Sequence, residues 1–134
     1  MLAYISLGSN LGNRRLYIKK AIKMLGRGVK KISPVIETEP LGMEKSNKFL
    51  NAVVEYETEL QPLKLLNFLE DIEKKLGRTD KGKYRSRTID LDILFYDSIK
   101  INTKRLTIPH PKIKEREFLC TLLTTLKKEK AEKK

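Results

Sequence analysis

Phe49-Leu50-Asn51-Ala52-Val53-Val54-Glu55-Tyr56-Glu57-Thr58 is the stretch that decides the fold. Side chains alternate faces along a strand. Leu50, Ala52, Val54 and Tyr56 therefore share one apolar face. Phe49, Asn51, Val53, Glu55 and Glu57 share the other. A sheet built on this strand buries one face and leaves the second for polar groups. Ile89-Asp90-Leu91-Asp92-Ile93-Leu94-Phe95-Tyr96 reads the same way. Ile89, Leu91, Ile93 and Phe95 point to one side, Asp90 and Asp92 to the other. Together the two strands place an aromatic ring, an amide and two acids on one uncovered surface.

Residues 2–8 upstream read as a short strand, and Ser9 to Asn13 as a turn with Asn13 a candidate N-cap. Ile18, Ala21, Ile22 and Leu25 form a helical stripe over 14–26, which Gly26 and Gly28 end. Val29 to Thr38 is rich in β-branched residues and reads as a strand, with Pro34 marking an edge or a bulge. Glu39 to Lys48 reads as a loop. Pro62 suits the first turn of a second helix, whose stripe Leu65, Leu66, Leu69, Ile72 and Leu76 runs to Gly77. Glu73 borders that apolar face, as a snorkelling surface acid does. Residues 78–88 form a basic loop, and 99–108 a short hairpin arm. Pro109-His110-Pro111 is a stiff kink, since proline fixes φ. A last helix spans about 112–126.

The order β-α-β-β-α-β matches the split βαβ, ferredoxin-like arrangement. The fold class is α+β, an antiparallel sheet with its two main helices on one face and the site on the other. The chain has 134 residues, enough for one domain with one core. That domain is expected over 1–126, with 127–134 a basic, frayed tail. The net charge of +12 favours anionic partners. Cys120, the sole cysteine, sits in an apolar stretch and reads as a buried, inert thiol. No disulfide framework, leader or membrane span is visible, and a reducing cytoplasm fits.

Same-face neighbours on a strand sit roughly 6.5–7 Å apart, so Asp90 and Asp92 repel unless water or cations lie between them. Oxygen-only ligands favour hard ions such as Mg²⁺. Arg85 and Arg87 lie just upstream. Carboxylates for Mg²⁺ beside arginines for phosphate suggest phosphoryl transfer. The plainer reading is a solvated edge strand with two outward charges. Gly8-Ser9-Asn10-Leu11-Gly12 has no following Gly-Lys-Ser/Thr, so it is not a Walker A loop.

The ordered set of segments is more specific than any one of them. Tyr4-Ile5-Ser6-Leu7-Gly8-Ser9-Asn10-Leu11-Gly12, Thr38-Glu39-Pro40-Leu41-Gly42, Phe49-Leu50-Asn51-Ala52-Val53, Arg87-Thr88-Ile89-Asp90-Leu91-Asp92-Ile93-Leu94, Ile108-Pro109-His110-Pro111 and Arg116-Glu117-Phe118 occur in that order. Together they closely resemble the 6-hydroxymethyl-7,8-dihydropterin pyrophosphokinases of folate biosynthesis, over residues 3 to about 119. The resemblance implies transfer of diphosphate from ATP to the pterin's hydroxymethyl oxygen, with release of AMP. It implies Asp90 and Asp92 as ligands of two Mg²⁺ ions, and Arg78 and Arg87 as the catalytic pair gripping phosphate. Glu73, Tyr84, Ile93, Arg105, Thr107, His110 and Arg116, with Arg78 and Arg87, match the ATP side. Thr38, Pro40, Leu41, Phe49, Asn51 and Phe118 match the pterin pocket. A monomer acting on these small molecules, without nucleic acid or membrane, is expected.

The chain departs from the family pattern in the basic loop. Asp80 stands where a second arginine is common, Tyr84 where a tryptophan is, and Arg85-Ser86 where Gly-Pro is. Arg85 is a candidate replacement for the lost cation. The chain also stops early after Leu122-Leu123. Two other classes compete. A basic RNA-binding module shares this fold, but it lacks the aromatic RNP1 pattern here. A Mg²⁺-dependent nuclease or nucleotidyltransferase would use Asp90 and Asp92 but leaves Asn51 and the two phenylalanines without a role.

Overall fold

The computed structural model describes residues 1–39, 48–77 and 88–132, with side chains described up to Leu126. Strand β1 (Leu2–Ser9) leads to α1 (Arg14–Leu25), then β2 (Val29–Ile32), β3 (Ile36–Thr38), β4 (Phe49–Glu57), α2 (Pro62–Lys75), β5 (Asp90–Tyr96), β6 (Ile101–Asn102), β7 (Thr107–Ile108) and α3 (Glu117–Glu132). Asn13 caps α1, its side chain accepting from the Leu16 N–H at 3.1 Å. Gly26 ends the helix at φ +81°, a conformation that glycine adopts without a Cβ penalty.

The main sheet runs β2-β4-β1-β5, with β3 also on β4. β4 pairs antiparallel with β1, β2 and β3, and β1 antiparallel with β5. This is the strand order expected of a split βαβ unit. The stretch 29–38 is one strand in pattern but two in space, because it breaks between Ile32 and Ile36, around Pro34. Ser33 bridges the break: its N–H donates to Val53 O at 2.8 Å, and its Oγ accepts from Val53 N–H at 2.8 Å. The arm at 99–108 is a two-stranded ladder, Ile101 opposite Ile108 and Asn102 opposite Thr107.

The larger core lies between the sheet and the two main helices. Ile5, Leu7, Leu50, Val54, Leu91 and Ile93 from the strands meet Ile18, Ala21, Leu65, Leu69 and Ile72 from α1 and α2. A second, smaller core lies on the other face. There Val53 and Leu94 are buried with Leu119, Leu122, Leu123 and Leu126 of α3, and Phe118, Tyr4 and Phe95 pack against them. The uncovered face is thus only partly open, since α3 closes one part of it.

Three expectations need correction. Phe95 does not share a face with Ile93. A register shift between Tyr4 and Ile5 pairs Tyr4 with Phe95 but Ile5 with Ile93, leaving Leu94 as the extra residue. Such a bulge breaks the two-residue period. Phe95 then joins the second core, edge-on to Tyr4 with ring centroids 6.5 Å apart. The last helix begins at Glu117 rather than near 112, because turns fill residues 111–115 after the proline kink. It also runs through residues 127–132, which were expected in the tail. Cys120 is exposed, not buried. The helical period turns Leu119, Leu122, Leu123 and Leu126 inward and Cys120 outward. No helix among the described residues is long and apolar enough to cross a membrane.

Candidate active site

Three neighbouring strands carry the open part of the second face. Gly8 of β1 lies opposite Asn51 of β4 on one side and Asp90 of β5 on the other. Ser6, two residues back, lies opposite Val53 and Asp92. Asn51 and Asp90 are therefore joined across a single backbone strand, about 10 Å apart at two inter-strand spacings. Gly8 is inside β1, as the strand reading of residues 2–8 implies. A Cβ at Gly8 would sit 3.0 Å from Asn51 Oδ1 and 3.5 Å from Phe49 Cδ1. Only glycine keeps the floor between amide and acid flat, as a strand glycine does where a ligand approaches the backbone.

On the amide side, Asn51 is buried and its Nδ2 donates to Thr38 Oγ1 at 2.6 Å. Thr38 pairs with Phe49 in the last rung of β3 on β4. Thr38, Phe49 and Asn51, drawn from separate parts of the sequence, thus form one group. Phe118, at the start of α3, packs against the second core beside Val53 and Ile36 on this same face. Pro40 and Leu41 lie outside the described residues.

On the acid side, Asp90 and Asp92 are both partly buried on β5. His110 turns toward them, its Nε2 3.9 Å from Asp92 Oδ1. Its backbone N–H donates to Leu94 O at 3.0 Å, which ties the proline kink to β5. His110 Nδ1 accepts from the Lys112 N–H at 3.0 Å, so the neutral ring carries its proton on Nε2, toward the acid. Burial lowers the His110 pKa most, Arg116 lowers it further, Asp90 opposes them, and Lys112 adds to the lowering. The ring is accordingly neutral near pH 7.

A cleft of about 200 Å³ opens beside these groups, lined by Leu66, Asp92, Ile93, Lys104, Arg105, Leu106, Thr107, His110 and Pro111. It gathers Ile93, Arg105, Thr107 and His110 from three separate stretches of chain, along with Asp92. Arg105 is engaged on the rim: its Nη2 lies 2.7 Å from Glu70 Oε1 and 2.5 Å from Asn67 Oδ1, both on α2. Arg116 is close enough to influence His110, and its Nε is buried without a hydrogen-bond partner.

Glu73 is not among the residues lining the cleft. It is buried, and its Oε2 accepts from the Leu91 N–H at 2.8 Å. That bond holds β5 at the residue between the two aspartates. Arg78, Tyr84, Arg85 and Arg87 lie outside the described residues. Sequence reasoning missed Gly8, Lys104 and Leu106. A glycine at a strand position and a lysine adjoining Arg105 were the available signals.

Among the described residues, no group of three or more His, Cys, Asp and Glu side chains is arranged to hold a metal. Asp90 and Asp92 offer a divalent ion two carboxylates on one face and no complete cage. That donor set suits Mg²⁺, which keeps waters and takes phosphate oxygens beside one or two carboxylates.

Known proteins are similar to this chain over most of its length. A relative from Bacillus subtilis (strain 168), a 2-amino-4-hydroxy-6-hydroxymethyldihydropteridine pyrophosphokinase, is 41% identical over 129 residues, 93% of this chain and 77% of its own. Its namesake in Aquifex aeolicus (strain VF5) is 43% identical over 117 residues, 86% of this chain and 73% of its own. Another, from Porphyromonas gingivalis (strain ATCC 33277), is 42% identical over 125 residues, 88% of this chain and 85% of its own. Residues 4–128 match the model of one family, and the chain belongs to it: the 7,8-dihydro-6-hydroxymethylpterin-pyrophosphokinases.

Proposed function

We infer that this protein transfers diphosphate from ATP to the hydroxymethyl oxygen of 6-hydroxymethyl-7,8-dihydropterin in folate biosynthesis. The hydroxymethyl oxygen attacks the β-phosphorus, the bond from that phosphorus to the α,β-bridging oxygen breaks, and AMP leaves. The proton of the hydroxyl passes to solvent or phosphate. The observation that carries this reading is the Asn51–Gly8–Asp90 row, which sets a heterocycle-reading amide and a metal-binding acid on one floor.

The residues divide the work. Asn51 and Thr38 supply donors and acceptors for a pterin edge, and Phe49 and Phe118 supply flat apolar faces. The cleft beside Asp92, Thr107 and His110 takes the nucleotide. Neutral His110 donates from Nε2, and the unpartnered Nε of Arg116 has a donor to spare for a phosphate oxygen. Arg78 and Arg87 precede the same strand in sequence and complete the positive set. Asp90 and Asp92 would hold Mg²⁺, and the bound ion would supply positive charge against the triphosphate. No general base is required, since loose phosphoryl transfer depends on positioning and charge.

Release of AMP from ATP in the presence of Mg²⁺, with and without the pterin, tests the function. AMP formation that depends on the pterin is expected. AMP release indifferent to pterin, or cleavage of polynucleotide, would overturn it. Asp90→Asn with Asp92→Asn should lower kcat by about 100-fold or more, as loss of a preorganised electrostatic group does. Retained turnover in that variant would remove the acids from the mechanism.

A further inference from the structure

Arg14 opens α1, far in sequence from the amide side of the site, yet its guanidinium reaches the strands that carry it. Nη1 lies 3.0 Å from Glu37 Oε2 of β3 and donates to Lys48 O, just before β4, at 2.7 Å. One nitrogen thus bridges the end of β3 and the start of β4. A second ion pair, Lys48 Nζ to Glu39 Oε1 at 3.3 Å, closes the same corner. The corner lies next to the Thr38–Phe49 rung, and Asn51 donates into Thr38.

β3 is weakly held on its own. It has three residues, pairs among the described residues only with β4, and follows a break at Pro34. Three rungs on one neighbour give little resistance to fraying. Glu37 faces α1, opposite to Thr38, by strand alternation. The arginine can therefore hold the rung from behind without touching anything bound in front. Both partners reach solvent, the Arg14 side chain half-buried at 29% and Glu37 exposed at 47%. Ion pairs this exposed contribute little to overall stability. What the contact fixes is where Thr38, Phe49 and Asn51 stand relative to one another.

We propose that Arg14 is a positioning residue for pterin binding, acting from α1 through Glu37 and the Lys48 carbonyl on the Thr38–Phe49 rung. The proposal rests on the reading of Thr38, Phe49 and Asn51 as the pterin pocket. Arg14 does not touch the nucleotide cleft, so its removal should separate the two substrates. In the full-length protein, pterin affinity is measured by titrating pterin fluorescence in the presence of Mg²⁺ and a non-hydrolysable ATP analogue. Affinity for the ATP analogue alone is measured by calorimetry.

Arg14→Ala should weaken pterin binding by about tenfold, the loss expected when a bound group is misplaced, and leave ATP-analogue affinity within about twofold. Arg14→Lys, which can still reach one acceptor, should recover part of the loss. Glu37→Gln should lie between the two, and Arg14→Ala combined with Glu37→Ala should be no worse than Arg14→Ala alone. Unchanged pterin affinity in Arg14→Ala, or equal loss of both substrates with a falling melting temperature, would overturn the proposal. Should Arg14→Ala fail to fold, Glu37→Gln decides the matter by the same two affinities. Asn51→Ala separates the levels. If it weakens pterin binding while Arg14→Ala does not, only the positioning role fails. If Asn51→Ala has no effect, the pocket itself is misassigned and the proposal falls with it.

Discussion

His110 shows how a single residue can be fixed by backbone groups on both sides. The Lys112 N–H takes Nδ1, and Leu94 O takes the residue's own N–H. With its pKa lowered, mainly by burial, the folded chain favours the neutral ring. The unfolded chain then binds a proton more readily, so its contribution to stability is complete above the ordinary histidine range near about 6.5. It is lost as pH falls through that range. Melting temperature of the ligand-free protein should therefore decline from about pH 7.5 to pH 5. His110→Gln should flatten part of that slope, and an unaltered slope would exclude His110 as its source. At this scale the sequence was most informative about Asp90 and Asp92, because a period of two in an apolar octet leaves little choice of face. It was least informative about Gly8. A glycine beside a turn is ordinary, and only the strands on either side reveal what its missing Cβ makes room for.

Elements were legible where periodicity was clean and obscure where an extra residue intervened. The faces of β4 and the stripes of α1 and α2 came out as the pattern implies. Phe95 did not, because nothing in Ile93-Leu94-Phe95 announces a bulge that appears only in pairing with β1. α3 was misplaced at its start for a related reason, since the turn after Pro111 lacks a strong breaker of its own. Glu73 belongs at this scale too. Among the described residues β5 is the last strand of the sheet, and Glu73 of α2 supplies an acceptor to Leu91 there. Glu73→Ala should cost about 1–3 kcal/mol by urea unfolding, the penalty for a buried N–H without its acceptor. Glu73→Gln keeps an acceptor and should cost less. Equal stability of Glu73→Ala and the parent would show that water replaces the carboxylate.

For the molecule as a whole, element order alone specified the sheet, since a split βαβ path allows few alternatives. The second core did not follow from order, because a C-terminal helix after the last strand has either face open to it. Here α3 takes the face that also holds the candidate site, packing on Val53 and Leu94. The net charge of +12 also acts at this scale. ATP is strongly anionic and the pterin is not. Raising salt from about 0.1 to 1 M shortens the screening length from about 10 to 3 Å. KM for ATP at fixed free Mg²⁺ should then rise several-fold while KM for the pterin changes little. Equal sensitivity of both constants would mean that the charge acts on the protein and not on nucleotide capture.

Cys120 is the sole thiol of the chain and lies on the solvent side of α3, two residues beyond Phe118. Its Sγ donates to Ile113 O at 3.4 Å. A maleimide dye can consequently be attached at one defined point on the unaltered polypeptide, on the outward side of the helix whose first turn carries Phe118. The labelled protein would carry its dye on that helix alone, with no engineered handle and no background from a second thiol.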